Sequence, residues 1–207
     1  MKLRALVFFQ MVFVCLAAFA QEKPTDLVDV EKFIPGIVLD IRYATTNNFT
    51  GKQVYPVAKC YLRRATAEKL KKVQEELKKQ NLGLKVYDGY RPLSVQKKFW
   101  ELVPDERYVA NPAKGSKHNR GGAVDLTLVD SKGKELPMPT PYDDFTEKAH
   151  QNYSKLPANI IRNRALLRTV MEKHGFKNIR TEWWHFDDTD WQQYDLMDIS
   201  FDELAKQ

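Results

Sequence analysis

Residues 116–130 read SKHNRGGAVDLTLVD, and the fold turns on how that stretch divides. From Gly122 onward apolar and polar residues alternate, placing Val124, Leu126 and Leu128 on one side of a strand and Asp125 and Thr127 on the other. An ionised aspartate among apolar neighbours is costly unless its charge is met. A divalent cation would meet it, and His118, on the loop side of Gly121 and Gly122, offers a second donor. A plainer reading also exists: the glycine pair could be a hairpin turn, with the histidine and aspartate brought near each other by chance.

Residues 181–187, TEWWHFD, repeat the combination of an acid and a histidine among bulky apolar residues and read as the final strand. His118, Asp125 and His185 together make three nitrogen and oxygen ligands. Three is the number a catalytic zinc keeps while leaving one position for water, whereas a structural zinc closes its shell with four, usually including cysteine. Glu182, outside the ligand set but near His185, is then the candidate base that takes a proton from the water and returns it to the leaving amine. Residues three apart on a regular strand point to opposite faces, so Glu182 and His185 converge only if the strand bends, bulges or starts between them.

The rest of the chain is read outward from these two segments. IVLDIRY (37–43) alternates like a strand and LKVYDGY (84–90) like another. From Thr66, as N-cap, Leu70, Val73 and Leu77 mark a helix. A second helix follows Arg91-Pro92 and carries Val95, Phe99 and Trp100. The polar loop 103–120 is longer than a mere connection needs. A last long helix spans about Asn159 to His174 and stops at Gly175. His150 and His174 read as structural. Helices inserted between neighbouring strands imply an α+β fold: one compact domain with a mainly antiparallel sheet flanked by helices. Arg91, after a strand end and a glycine, is the candidate for steadying an oxyanion; the alternative is an exposed arginine in a turn.

The chain has 207 residues and a net charge of +6. Its first twenty, with Lys2 and Arg4 ahead of an apolar run and Ala18-Phe19-Ala20 at the end, read as a signal peptide cleaved after Ala20. A retained anchor is the competing reading. Residues 21–207 then form the one domain, exported to a periplasmic or extracellular space, with no stable membrane insertion. Of the two cysteines only Cys60 remains, so no internal disulfide is expected. The basic excess is mild and interspersed with acids, which argues against nucleic-acid binding.

In order, DGYRP (88–92), SxHxxGxAxD (116–125) and ExWH (182–185) resemble the motifs of the D-alanyl-D-alanine dipeptidase family, the VanX-type enzymes, from about Ile37 to Phe186. The resemblance implies a zinc D,D-peptidase-like fold with one Zn2+ per chain, hydrolysing the small dipeptide D-Ala-D-Ala in peptidoglycan turnover. It matches His118, Asp125 and His185 to metal ligands, Glu182 to the base and Arg91 to transition-state stabilisation. It places Tyr43, Ser116 and Asp143 where the family binds substrate. Two rivals share the motifs: a D,D- or L,D-carboxypeptidase acting on stem peptides, and an inactive zinc-containing wall-binding module. Retention of Glu182 and Arg91 weighs against the second.

Overall fold

The computed structural model describes residue 23 and residues 25–206; the expected leader lies outside them. In chain order the elements are β1 (Leu27–Asp29), α1 (Val30–Phe33), β2 (Val38–Leu39), β3 (Tyr61–Arg63), α2 (Arg64–Lys78), β4 (Leu82–Asp88), α3 (Leu93–Leu102), β5 (Ala123–Asp130), α4 (Ala158–Lys173), β6 (Phe176–Asn178), β7 (His185–Asp188) and α5 (Phe201–Leu204). The alternating stretch that contains Asp125 is β5, the centre of a five-stranded sheet in the order β2-β4-β5-β7-β6. Only β2 and β4 run parallel; the other neighbours are antiparallel. β1 and β3 form a separate antiparallel ribbon. This is the mainly antiparallel α+β arrangement expected.

Period-two patterning decides which face meets the helices. Val124, Leu126 and Leu128 are fully buried, as are Leu70, Val73 and Leu77 of α2 and Leu167 and Met171 of α4. α2 lies on β4, α4 lies on β5 and β6, and the two helices touch each other. Burying such side chains is worth roughly 1.5–3 kcal/mol each. Asp125, on the opposite face of β5, is left to look into the cleft.

Three local readings need correction. The strand expected over 37–43 stops at Leu39, and a 3-10 turn over Arg42–Ala44 carries Tyr43 inward. α2 begins at Arg64, and Thr66 is not its cap: the Thr66 hydroxyl, fully buried, donates instead to Asp188 Oδ2 at 2.6 Å. The strand expected over 181–187 begins only at His185, because residues 181–184 bend to bury Trp183 and Trp184 together. There Gln151 Nε2 reaches the carbonyls of Glu182 and Trp183, at 3.4 and 3.3 Å, in place of a ladder. β6 and α5 carry no periodicity long enough to read. Cys60 is a buried free thiol, and His174 bonds Glu76 Oε2 at 2.7 Å beside the helix end.

Candidate active site and metal centre

Asp125 of β5 and His185 of β7 are directly paired across the two strands, so both side chains leave the same face of the sheet. His118 arrives from the 3-10 turn His118–Arg120 just before β5. Gly121 ends that turn at φ +69, where a side chain would be strained and its Cβ would stand 2.9 Å from Leu27 Cδ2. The glycine pair therefore ends the ligand turn against β1 and β3; it is not a hairpin.

The three candidate ligand atoms form a small triangle. His118 Nε2 is 3.2 Å from His185 Nδ1 and 3.4 Å from Asp125 Oδ1, and His185 Nδ1 is 2.9 Å from Asp125 Oδ1. Zinc bonds of about 2.0–2.1 Å in a tetrahedron require ligand separations of about 3.3 Å. The triangle has the size that three vertices of that solid require, and all three residues line one cleft.

Each candidate ligand is held from behind. His118 Nδ1 lies 2.7 Å from the Gly89 carbonyl, and His185 Nε2 lies 2.8 Å from Asp187 Oδ1. If those outer nitrogens carry the protons, the inner ones are free to coordinate, the usual support of a metal-bound histidine. Tyr142 donates to the other oxygen of Asp125, Oδ2, at 2.9 Å. Burial alone would push the Asp125 carboxyl up, but His118 and His185 outweigh it and hold it well below the usual carboxylate range. Burial pushes the His185 imidazole down, yet Asp187 and Asp125 raise it well above its ordinary value. Two buried carboxylates, Asp125 and Asp187, thus flank the His185 imidazole on its two nitrogens.

Asp187, Tyr142 and Asp88 contact His185, Asp125 and Arg91 and are not among the residues singled out from the motifs. Asp187 had a legible signal: it follows His185 by two residues, so on a strand it shares its face. Tyr142 had none, since it lies in the irregular stretch between β5 and α4.

Glu182 sits just ahead of β7, and its Oε2 is 3.9 Å from His185 Nδ1. The strand thus starts between the two, the condition their convergence required. Burial pushes the Glu182 carboxyl up to about 7, with His185 opposing the rise and Asp125 adding to it. Arg91 is a buried side chain, not an exposed turn residue: its Nε and Nη2 donate to Asp88 Oδ2 at 3.2 and 2.7 Å, and its Nη1 to Gln96 at 2.9 Å. The guanidinium also lies over the rings of Phe99 and Tyr43, at 4.8 and 5.4 Å. Asp88 is fully buried and also accepts from Tyr55 at 2.8 Å. Asp88→Ala would strand a buried guanidinium, so we expect a loss of about 3–5 kcal/mol of stability, read as a lower urea midpoint.

Tyr43 donates to Asp143 Oδ1 at 3.2 Å, while Asp143 Oδ2 is buried with no partner. Asp143 adopts φ +62, which aspartate tolerates better than most residues. Burial pushes its carboxyl up to about 8, with the Asp125 charge adding to the effect. Ser116 Oγ accepts from the His118 backbone at 3.2 Å. One cleft of about 420 Å³ is lined by all eight residues selected from the sequence.

A family model described as D-ala-D-ala dipeptidase matches residues 23–204. The chain belongs to the D-Ala-D-Ala dipeptidase family. It is 37% identical over 177 residues to the D-alanyl-D-alanine dipeptidase of Escherichia coli (strain K12), covering 86% of this chain and 92% of that relative. To the enzyme of the same name from Enterococcus faecium it is 34% identical over 178 residues, covering 76% and 88%. Among solved structures, that of the LdcB LD-carboxypeptidase aligns with TM-score 0.46 at 22% identity, over 83% of this chain and 71% of that one; likeness at that level carries no weight here. Membership of the dipeptidase family bears out the resemblance read from the three motifs, and with it the reading of the chain as a peptidase.

Proposed function

We propose that this protein is a zinc-dependent dipeptidase that hydrolyses D-Ala-D-Ala, with His118, Asp125 and His185 as metal ligands. The observation that carries the reading is the triangle of candidate ligand atoms, spaced for zinc, with Glu182 3.9 Å from His185 and Asp143 Oδ2 unpartnered in the same cleft. When bound, zinc supplies a Lewis acid that polarises a carbonyl and makes a water acidic near neutral pH.

The chain's own residues do the rest. Glu182 accepts a proton from the attacking water and delivers it to the nitrogen of the leaving D-alanine. Arg91, its direction fixed by Asp88, steadies the negative charge that grows on the carbonyl oxygen. Ser116 contributes a hydroxyl to substrate binding. Asp143 and Tyr43 receive the free ammonium, whose charge the orphaned Asp143 oxygen lacks. An opposite charge at that position draws the raised Asp143 carboxyl back toward ionisation.

This arrangement favours dipeptides over the stem peptides of the carboxypeptidase reading. A peptide extended at its amino end brings no ammonium and leaves Asp143 buried and unpaired. Asp143→Asn is expected to raise KM for D-Ala-D-Ala about 10- to 100-fold, the worth of one charge-assisted hydrogen bond. Its effect on an N-acetylated dipeptide should be small. The deciding experiment is metal analysis of the purified protein together with hydrolysis of D-Ala-D-Ala and of a pentapeptide stem. Rapid release of D-Ala from the stem with poor turnover of the dipeptide sinks the dipeptidase reading. The first twenty residues support export, so the substrate pool would be dipeptide released from the wall.

A further inference from the structure

We infer that Lys117 is a positioning residue of the metal centre: through Asp187 it holds the imidazole of His185 from the side away from the cation, and so sets how tightly the centre binds zinc. The inference rests on the metal reading above and adds to it a residue that touches neither metal nor substrate.

Asp187 lies two residues after His185 on β7 and is nearly buried. Its Oδ1 faces His185 Nε2 at 2.8 Å, and its Oδ2 accepts from Lys117 Nζ at 2.6 Å. Lys117 is also the residue immediately before His118. One lysine–aspartate pair therefore ties together, from behind, the two segments that bring the imidazoles to the centre. The face of Trp191 lies 5.4 Å from the same ammonium and confines it.

Removing the ammonium has two opposed effects, and magnitudes decide between them. Loss of a positive charge favours a cation nearby, but the Lys117 side chain is 34% exposed, so solvent screens that gain. Asp187, by contrast, keeps His185 on Oδ1 but is left with a buried Oδ2 unpaired, in a centre that already holds Asp125 and Glu182. Relief is at hand in a groove of about 310 Å³ lined by Lys117, Asp187, Ile179 and Trp191. Once Asp187 turns into it, His185 Nε2 loses its acceptor and the ring its orientation. Such outer partners are worth about 10- to 100-fold in metal affinity, so misorientation wins.

The test is the zinc Kd, measured by competition with a chromogenic chelator, for the whole protein and for Lys117→Met, Lys117→Arg, Asp187→Asn and the Lys117→Met/Asp187→Asn double variant. We expect Lys117→Met to raise Kd about tenfold and Lys117→Arg to stay within about threefold of the parent. Lys117→Met should add nothing in the Asp187→Asn background, because the two residues act as one. In the zinc-loaded enzyme Lys117→Met should lower kcat on D-Ala-D-Ala and leave KM alone. If Lys117→Met melts early without zinc, Lys117→Gln takes its place. An unchanged or tighter Kd for the lysine variant, or additive effects in the double variant, overturns the inference alone. A parent protein that binds no zinc overturns the metal reading with it.

Discussion

Glu182→Gln is expected to lower kcat on D-Ala-D-Ala by about 10²- to 10⁴-fold while zinc content stays at the parent level. The geometry separates the two properties. The Glu182 carboxylate is 3.9 Å from His185 Nδ1 and outside the ligand triangle, so the amide replacement leaves all three ligand atoms in place. A pH profile sharpens the test. Burial pushes the Glu182 carboxyl up to about 7, and an adjacent dication draws it down again. A base must be deprotonated to work, so kcat/KM of the parent should fall toward acid, with its midpoint below 7. Glu182→Gln should lack that limb. A variant that keeps activity within a few-fold of the parent would show that the base lies elsewhere.

His118→Ala should lose the metal itself. It removes one corner of the triangle and the contact with the Gly89 carbonyl that joins the ligand turn to the end of β4. Turnover is then expected at background. The loss also has a thermal signature: zinc at a hundred times its Kd stabilises a folded protein by about 2.7 kcal/mol. For a chain of this size that raises the melting temperature by roughly 5–10 °C. The parent should show that rise on adding zinc and His118→Ala should not. Equal shifts in both proteins would mean that zinc binds somewhere other than this triangle.

The sequence was legible wherever a long regular pattern or a chemically expensive residue had to be explained. β5 could be read from its alternation, and Asp125 stood out because an aspartate there needs a counter-charge. α2 and α4 could be read from their apolar spacing. Thr66 misled because a threonine near a helix start resembles a cap, and only the fold reveals Asp188, more than a hundred residues away, as its partner. Tyr43 was read at the end of a strand but sits on a 3-10 turn, since two paired residues in β2 suffice to anchor that edge. Asp88 and Gln96, three residues before and five after Arg91, hold its guanidinium across the turn from β4 into α3, a bend that no periodicity encodes, and Tyr142 reaches Asp125 from seventeen residues away. The orphaned oxygen of Asp143 is likewise visible only once the cleft has closed around it.

The facing of residues 125 and 185 across neighbouring strands has a consequence for how the molecule matures. A strand shifted by one position turns every side chain to the other side. An offset β7 would set Phe186 opposite Asp125 and send the imidazole toward the helices. A cation held by the proposed triangle would therefore reward the native alignment alone, and a chain out of step would lack both the site and that added stability.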